Sequence, residues 1–358
     1  EPALSWDNDN GMQGMVELCH GCGGCRGSQH TSGGVMCPTY RAADEEITST
    51  RGRANMLRQA MSGDLPEDPT SDEFATEVMD LCIGCKGCAK DCPSEVDMAK
   101  LKAEVAHERH RRHGASLRDK VFANVHRVTA WGSRLAPVSN WLAALPGSDR
   151  LAESLLGVAS ERKTPTFASE SFEEWFDRRD SDGDAGRALV VPDPYTNYVE
   201  PEIGKAAVRV LEAAGVQVAL PDVTASGRAA FSKGFLDVAR ERVETNVAAL
   251  TPWVDDGWDV VVLEPSDAAM YQSDALDVGV EGPVERVAAN SYGFAEYLDR
   301  FDLVDELDVA PRNTLTYHGH CHQTAIGRDH HAVAVFRRAG FEVDALDSGC
   351  CGMAGSFG

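Results

Sequence analysis

CIGCKGCAKDCP, residues 82 to 93, sets Cys82, Cys85, Cys88 and Cys92 in the spacing C-x2-C-x2-C-x3-C, with Pro93 directly behind the last thiol. Three thiols two residues apart let one tight loop wrap a corner-to-corner cluster, and this run ligates a [4Fe–4S] cubane. Upstream, CHGCGGC, residues 19 to 25, repeats the triple with Cys19, Cys22 and Cys25, and a second Cys-Pro pair, Cys37-Pro38, follows. Where two such runs occur together, the Cys before Pro ligates the other cluster. The spacing thus predicts one cluster on Cys19, Cys22, Cys25 and Cys92, and another on Cys82, Cys85, Cys88 and Cys37. Gly21, Gly23, Gly24, Gly84 and Gly87 permit the turns and the close backbone approach. A structural zinc site is the alternative, because zinc also takes C-x2-C pairs.

The residues around these motifs read as helices, with no strand signal. STRGRANMLRQAMSG, 49 to 63, is expected to be a helix stopped by Gly63, and 72 to 81 a short one leading into Cys82. Both Cys-Pro pairs precede helical patterns, where Pro suits the first position. SEVDMAKLKAEVAHERHRRHG carries Val96, Leu101 and Val105 on one side and stops at Gly114. Arg51 and Arg53, in TRGR, are placed either beside a cluster or partner carboxylate or at a solvated helix start. Residues 136 to 187 read as a connecting segment with short helices. The stretch WGSRLAPVSNWLAALPG, 131 to 147, carries Trp131 and Trp141. It is read as core or interdomain packing, with a membrane surface or partner subunit as the alternative.

From residue 188 short β-branched runs alternate with helical patterns. ALVVP (188–192), VQVAL (216–220) and DVVVLEP (259–265) are the strands, and 201–214 and 234–250 the helices. That alternation predicts a parallel α/β sheet. A second round follows: NTLTYHG (313–319), a helix at 329–339, and FEVDAL (341–346). Ala214-Gly215 aligns with Ala339-Gly340, so the two rounds are an internal repeat. In that register Cys350, Cys351 and Gly352 fall on Ala225, Ser226 and Gly227, and Cys321 falls on Thr196. The first copy keeps the scaffold and lacks the thiols.

HGHCHQ, 318 to 323, sets Cys321 among His318, His320 and His322 at a strand end, and DSGCCGMAGSFG closes the chain with Cys350 and Cys351. Ligand sites in open α/β sheets lie at the carboxyl ends of strands. Cys321, Cys350 and Cys351 are therefore a candidate metal site; a zinc site or a redox disulfide remains open. His320 and His322, alternating on extended chain, are either pocket-lining or packing residues. His330 and His331 read as surface.

Eleven cysteines gathered in clusters suit metal binding in a reducing, cytoplasmic compartment better than a disulfide framework. The formal charge of −23, with 26 Arg and 8 Lys, repels nucleic acid and anionic lipid headgroups, and reads as a surface adapted to high salt, the expectation for a halophile, with an ordinary acidic cytosolic protein as the alternative. No apolar run reaches the roughly eighteen residues of a membrane helix, and Glu1 in place of Met reads as a cut or processed end.

CHGCGGC, CPTYRAADEEITSTRGRAN and LCIGCKGCAKDCPSEVDMAKLKAE resemble the iron–sulfur portion of FAD-linked D-lactate dehydrogenases and glycolate oxidases. The second half is similar to their cysteine-rich CCG domains, which also occur in heterodisulfide reductase and anaerobic glycerol-3-phosphate dehydrogenase subunits. The resemblance implies a multidomain chain. An α-helical two-cluster ferredoxin domain (1–135) and the connecting segment (136–187) lead to a degenerate CCG-type α/β repeat (188–304) and a second, truncated one (305–358). It implies electron transfer from FAD on a separate domain or subunit, where a 2-hydroxy acid is oxidised, to a downstream acceptor such as a quinone. Peripheral attachment at the inner face of the membrane would follow. A third iron–sulfur cluster at Cys321, Cys350 and Cys351 is implied too, with further ligands beyond Gly358. Asp267 in LEPSD stands where LEPSC is usual. No flavin-binding half is visible. Heterodisulfide-reductase-like chemistry, a glycerol-3-phosphate dehydrogenase subunit and a zinc-stabilised interaction module are the competing readings.

Overall fold

The computed structural model describes residues 2–28, 34–65, 68–162, 164–310, 314–346 and 348–354. Asn313, read as a strand start, and the terminal SFG lie outside them. Up to the helix Phe172–Phe176 every described element is helical. The helix Thr50–Ser62 begins where Ser49 accepts a hydrogen bond from Gly52 N and ends at Gly63 in the left-handed region, a paired start and stop signal. The stretch before Cys82 is a short α turn, Asp72–Phe74, continuing as a π turn, Ala75–Met79. Pro38 opens its helix, Pro38–Ala43. Pro93 does not: the next helix, Met98–His113, starts later, where Asp97 caps Lys100 N. This first region has its own core, in which Val16, Leu57, Phe74, Leu101 and Val105 surround Cys25, Cys37, Cys88 and Cys92.

Six parallel strands follow: β1 (Gly186–Val191), β2 (Val216–Ala219), β3 (Asp259–Val262), β4 (Ser291–Gly293), β5 (Thr314–His318) and β6 (Glu342–Leu346). The first four make one sheet in the order β2-β1-β3-β4, with apolar cores on both faces, as expected for continuous β-branched strands. β5 and β6 pair with each other, Thr314 opposite Glu342.

The internal repeat is visible as matching units. β1, the short helix Pro194–Tyr198, the helix Pro201–Ala213 and β2 correspond to β5, the short helix Cys321–Ala325, the helix His330–Arg338 and β6. By element, Cys321 corresponds to Pro194, each being the first residue after its helix cap, and not to Thr196. The copies differ in length between strand and long helix, and one constant offset hides this. His331 corrects another expectation: it is buried, with Nδ1 2.7 Å from Asp299 Oδ2.

The segment 131–147 departs most from its expected place. Trp131 and Trp141 are each 61% exposed, with Leu135, Val138 and Leu142 beside them. Among the described residues these side chains pack neither in a core nor between the two regions. No helix among the described residues is long and apolar enough to cross a membrane.

Candidate functional site

The eight N-terminal thiols divide between two cavities. Cys37, Cys82, Cys85 and Cys88 line one, together with Met36, Arg53 and Met98. Cys19, Cys22, Cys25 and Cys92 line another, with Arg51 and Val96. Each cavity takes three thiols from one motif and the Cys of the other Cys-Pro pair, the exchange that the spacing predicts. Among the described residues no three Cys, His, Asp or Glu side chains converge as ligands to a single ion would. Four thiols around each space are instead the donor set of an iron–sulfur cubane.

Local backbone makes these loops possible. Gly21, Gly23 and Gly84 adopt positive φ, and so does Lys86, at +59°. Gly87 serves close packing: a Cβ there would meet Val35 Cβ at 2.8 Å. Gly87→Ala is therefore expected to cost roughly 1–3 kcal/mol through overpacking and to lower iron loading. Urea unfolding of the two proteins checks it; equal midpoints contradict it.

The donor set around the thiols suits an anionic cluster. Arg51 N donates to Cys25 Sγ at 3.3 Å, and Met98 N to Cys88 Sγ at 3.3 Å. Arg53 is 1% exposed, holds Thr48 O and Val78 O, and brings Nη1 to 3.9 Å from Cys37 Sγ. Its Nη2 is buried without a partner. Arg53 thus lies buried beside one cavity, whereas Arg51 lines the other from the first turn of its helix and pairs with Glu46 at the surface. Burial pushes the Cys85 and Cys88 thiols well above the ordinary range, a cost that metal ligation removes by taking them as thiolates.

Lys86, between Cys85 and Gly87, is buried and pairs with Asp274, on a turn of the α/β region. Asp274 also receives Arg228. Burial alone would raise the Asp274 carboxyl, but Lys86 and Arg228 outweigh it and hold it well below the usual range. His322 adds a second tie, its Nε2 3.0 Å from Gly84 O. The loop of the second cavity is thereby fastened to the α/β region by charge and by hydrogen bond. Nothing in the local sequence announces the Lys86–Asp274 pair, because its members lie 188 residues apart.

The third thiol group gathers at that junction. Cys321 opens its helix behind the cap His320, whose Nδ1 accepts from His322 N at 3.3 Å. His320 and His322 therefore serve a cap and a loop tie rather than alternating on a strand. The Cys350 sulfur accepts from Gly352 N at 3.4 Å and lies near the Cys321 and Cys351 thiols. The neighbouring Cys321 holds the Cys350 thiol down, and Cys350, with burial, pushes Cys321 up. Cys85 lies near enough for its charge to act on both. His318 Nε2 contacts Gly349 O at 2.7 Å.

The corresponding place in the first copy is filled with oxygen. Ser226 donates to Asp267, Asp193 caps Tyr195 N and Thr196 N, and Glu264 caps Asp267 N. Asp267 is buried; burial first, and the neighbouring Glu264 and Asp193 next, raise its carboxyl far above the ordinary range. Asp193 and Glu264 follow β1 and β3, the switch point of the sheet. A hydrogen-bonded acid thus occupies the place that corresponds to the thiol group of the second copy.

Comparison with known proteins agrees with this geometry. A family model described as a 4Fe-4S dicluster domain matches residues 15–96. The chain is 25% identical over 402 residues to the D-2-hydroxyglutarate dehydrogenase of Escherichia coli K12, an alignment covering 97% of this chain and 38% of that protein. It is 25% identical over 251 residues to one subunit of the anaerobic glycerol-3-phosphate dehydrogenase of E. coli K12, covering 68% of this chain and 63% of that relative. It is 30% identical over 147 residues to a probable glycolate oxidase iron-sulfur subunit of Bacillus subtilis 168, covering 41% of this chain and 28% of that protein. No solved structure matches the chain. Residues 15–96 thus match a 4Fe-4S dicluster domain, within a chain that is similar along nearly all its length to a dehydrogenase of which it spans about two fifths.

Proposed function

We propose that the chain carries electrons through two [4Fe–4S] clusters, one held by Cys19, Cys22, Cys25 and Cys92, the other by Cys37, Cys82, Cys85 and Cys88. The observation that carries this reading is the division of eight thiols between two cavities, each completed by the opposite motif. When bound, such clusters accept and release electrons at potentials set by burial and by hydrogen bonds to sulfur. The chain's own residues supply those settings. Arg51 N and Met98 N donate to ligand sulfurs, and Arg53 places positive charge beside Cys37.

Cys22 is exposed, whereas Cys37, Cys85 and Cys88 are buried, Cys85 lying near the third thiol group. We infer entry at the Cys22 side, from FAD on a dehydrogenase portion or subunit, and exit past Cys321, Cys350 and Cys351. We assign those three thiols to a third iron–sulfur site. The neighbouring Cys321–Cys350 pair favours a second reading, heterodisulfide-reductase-like chemistry at this end. A quinone is the acceptor we favour, which places the protein at a membrane surface. The names of the relatives support oxidation of a 2-hydroxy acid such as D-2-hydroxyglutarate or glycolate; the resemblance adds D-lactate. Anaerobic addition of each acid to the full-length, flavin-loaded protein tests this: one of them is expected to bleach the cluster absorbance. Bleaching by dithionite but by none of the acids contradicts it.

The charge of −23 supports a surface suited to high salt. Raising KCl to molar concentration is expected to raise the thermal midpoint by screening carboxylate repulsion. An unchanged or lower midpoint counts against that adaptation.

A further inference from the structure

Three consecutive helices are patterned inside out. In Val125–Arg134 the buried positions are Thr129 and Ser133, while Arg127, Val128, Trp131 and Arg134 face outward, with Leu135 next to them. Ser133 Oγ is satisfied by Ala168 O at 2.6 Å, so its inward aim is built in. In Ala136–Ala143 the polar side again turns inward: Asn140 holds both Phe167 O and Phe167 N, and Ser139 bonds Gly132 O. Val138, Trp141 and Leu142 are left exposed. Ser148–Leu156 buries none of its residues and exposes Leu151 and Leu155. Large apolar side chains outside and small or polar ones inside reverse the usual arrangement of a surface helix. An exposed apolar face of this extent marks an interaction surface.

Charge distribution selects the occupant. Residues 117–156 hold five Arg and Lys against three Asp and Glu, a net +2 within a chain of −23. Lys120, Arg127, Arg134 and Arg150 are exposed around the stripe, and the Arg134 guanidinium lies 5.6 Å from the Trp131 ring centre. Cations bordering Trp and Leu on one face are the composition of a helix lying in a bilayer interface. The acidic remainder of the chain is repelled by anionic headgroups, which favours approach by this face.

We propose that residues 117–156 dock the protein on an anionic lipid bilayer, with Trp131, Trp141 and the surrounding Leu side chains entering the headgroup boundary and the exposed Arg side chains meeting lipid phosphates. This surface stands independently of the cluster chemistry. The test is co-sedimentation of the full-length protein with vesicles of phosphatidylcholine alone and of phosphatidylcholine with phosphatidylglycerol. Binding is expected to the anionic vesicles only. It should fall at least about tenfold in Trp131→Gln/Trp141→Gln at any salt. In Arg127→Glu/Arg134→Glu it should fall roughly tenfold at low salt, with little difference from wild type at 1 M. Unchanged absorbance and unfolding midpoints show that these surface variants remain folded. Absence of vesicle binding by the wild type overturns the proposal, because the stripe is then covered by the rest of the full-length protein. Binding that survives the Trp pair overturns it as well.

Discussion

Cys92→Ser is expected to disable the cavity of the other motif. Cys92 stands in the 82–93 run, yet it lines the space with Cys19, Cys22 and Cys25. Iron should fall by about four atoms per chain, the loss of one cubane. Double variants distinguish the partition from general damage. Cys22→Ser/Cys92→Ser should lose no more iron than either single change, because both thiols serve one cluster. Cys85→Ser/Cys92→Ser should lose about eight atoms, because the two changes strike different clusters. Cys37→Ser mirrors this, pairing with Cys85→Ser. The reverse outcome, with Cys92 and Cys85 behaving as one unit, would mean that each motif closes on its own cluster.

Asp274→Asn should destabilise the folded chain by roughly 3–5 kcal/mol, the cost of leaving a buried charge without its partner. The change strands Arg228 and leaves Lys86 only the more distant Asp97 Oδ2, at 4.0 Å. Lys86→Met should cost less, since Arg228 still meets the carboxylate. The folded state holds the Asp274 carboxyl below its ordinary value of 3.8, so the pair's contribution is complete above that pH and fades as pH falls beneath it. The gap between wild type and Asp274→Asn in chemical unfolding should accordingly narrow in acid. A gap under 1 kcal/mol at neutral pH, or one that widens in acid, would remove the pair from its anchoring role.

Much of this architecture is legible in the sequence because its signals are local. Thiol spacing gives the exchange between motifs, Gly63 and Gly114 end their helices, and β-branched runs mark β1, β2 and β3. The three-residue strand β4 is too short to show a period, and its pairing comes only from its neighbour β3. The site of the first copy is recognisable as a departure at Ser226 and Asp267, but the hydrogen bond joining them is not. The Lys86–Asp274 tie needs the tertiary fold to exist before it can be seen. The Trp131 and Trp141 helices mislead for a physical reason. Their amphipathic period is genuine, and periodicity alone cannot say whether the apolar side faces the protein or something outside it.

The same geometry orders the three thiol groups. One reaches the surface through Cys22, the next is buried in the helical core, and the last shares the junction where His322 meets Gly84. Lys86 and Asp274 fasten that junction, so the proposed exit from the second cluster is held by the strongest charge pairing between the two regions.

Metal and sulfide analysis of anaerobically purified chain, with EPR of the dithionite-reduced protein, tests the central claim most directly. The account predicts at least about eight iron and eight acid-labile sulfide per chain, and the magnetically coupled spectrum of two neighbouring reduced [4Fe–4S] clusters. Stoichiometric zinc without iron or sulfide, and no EPR signal on reduction, would contradict it.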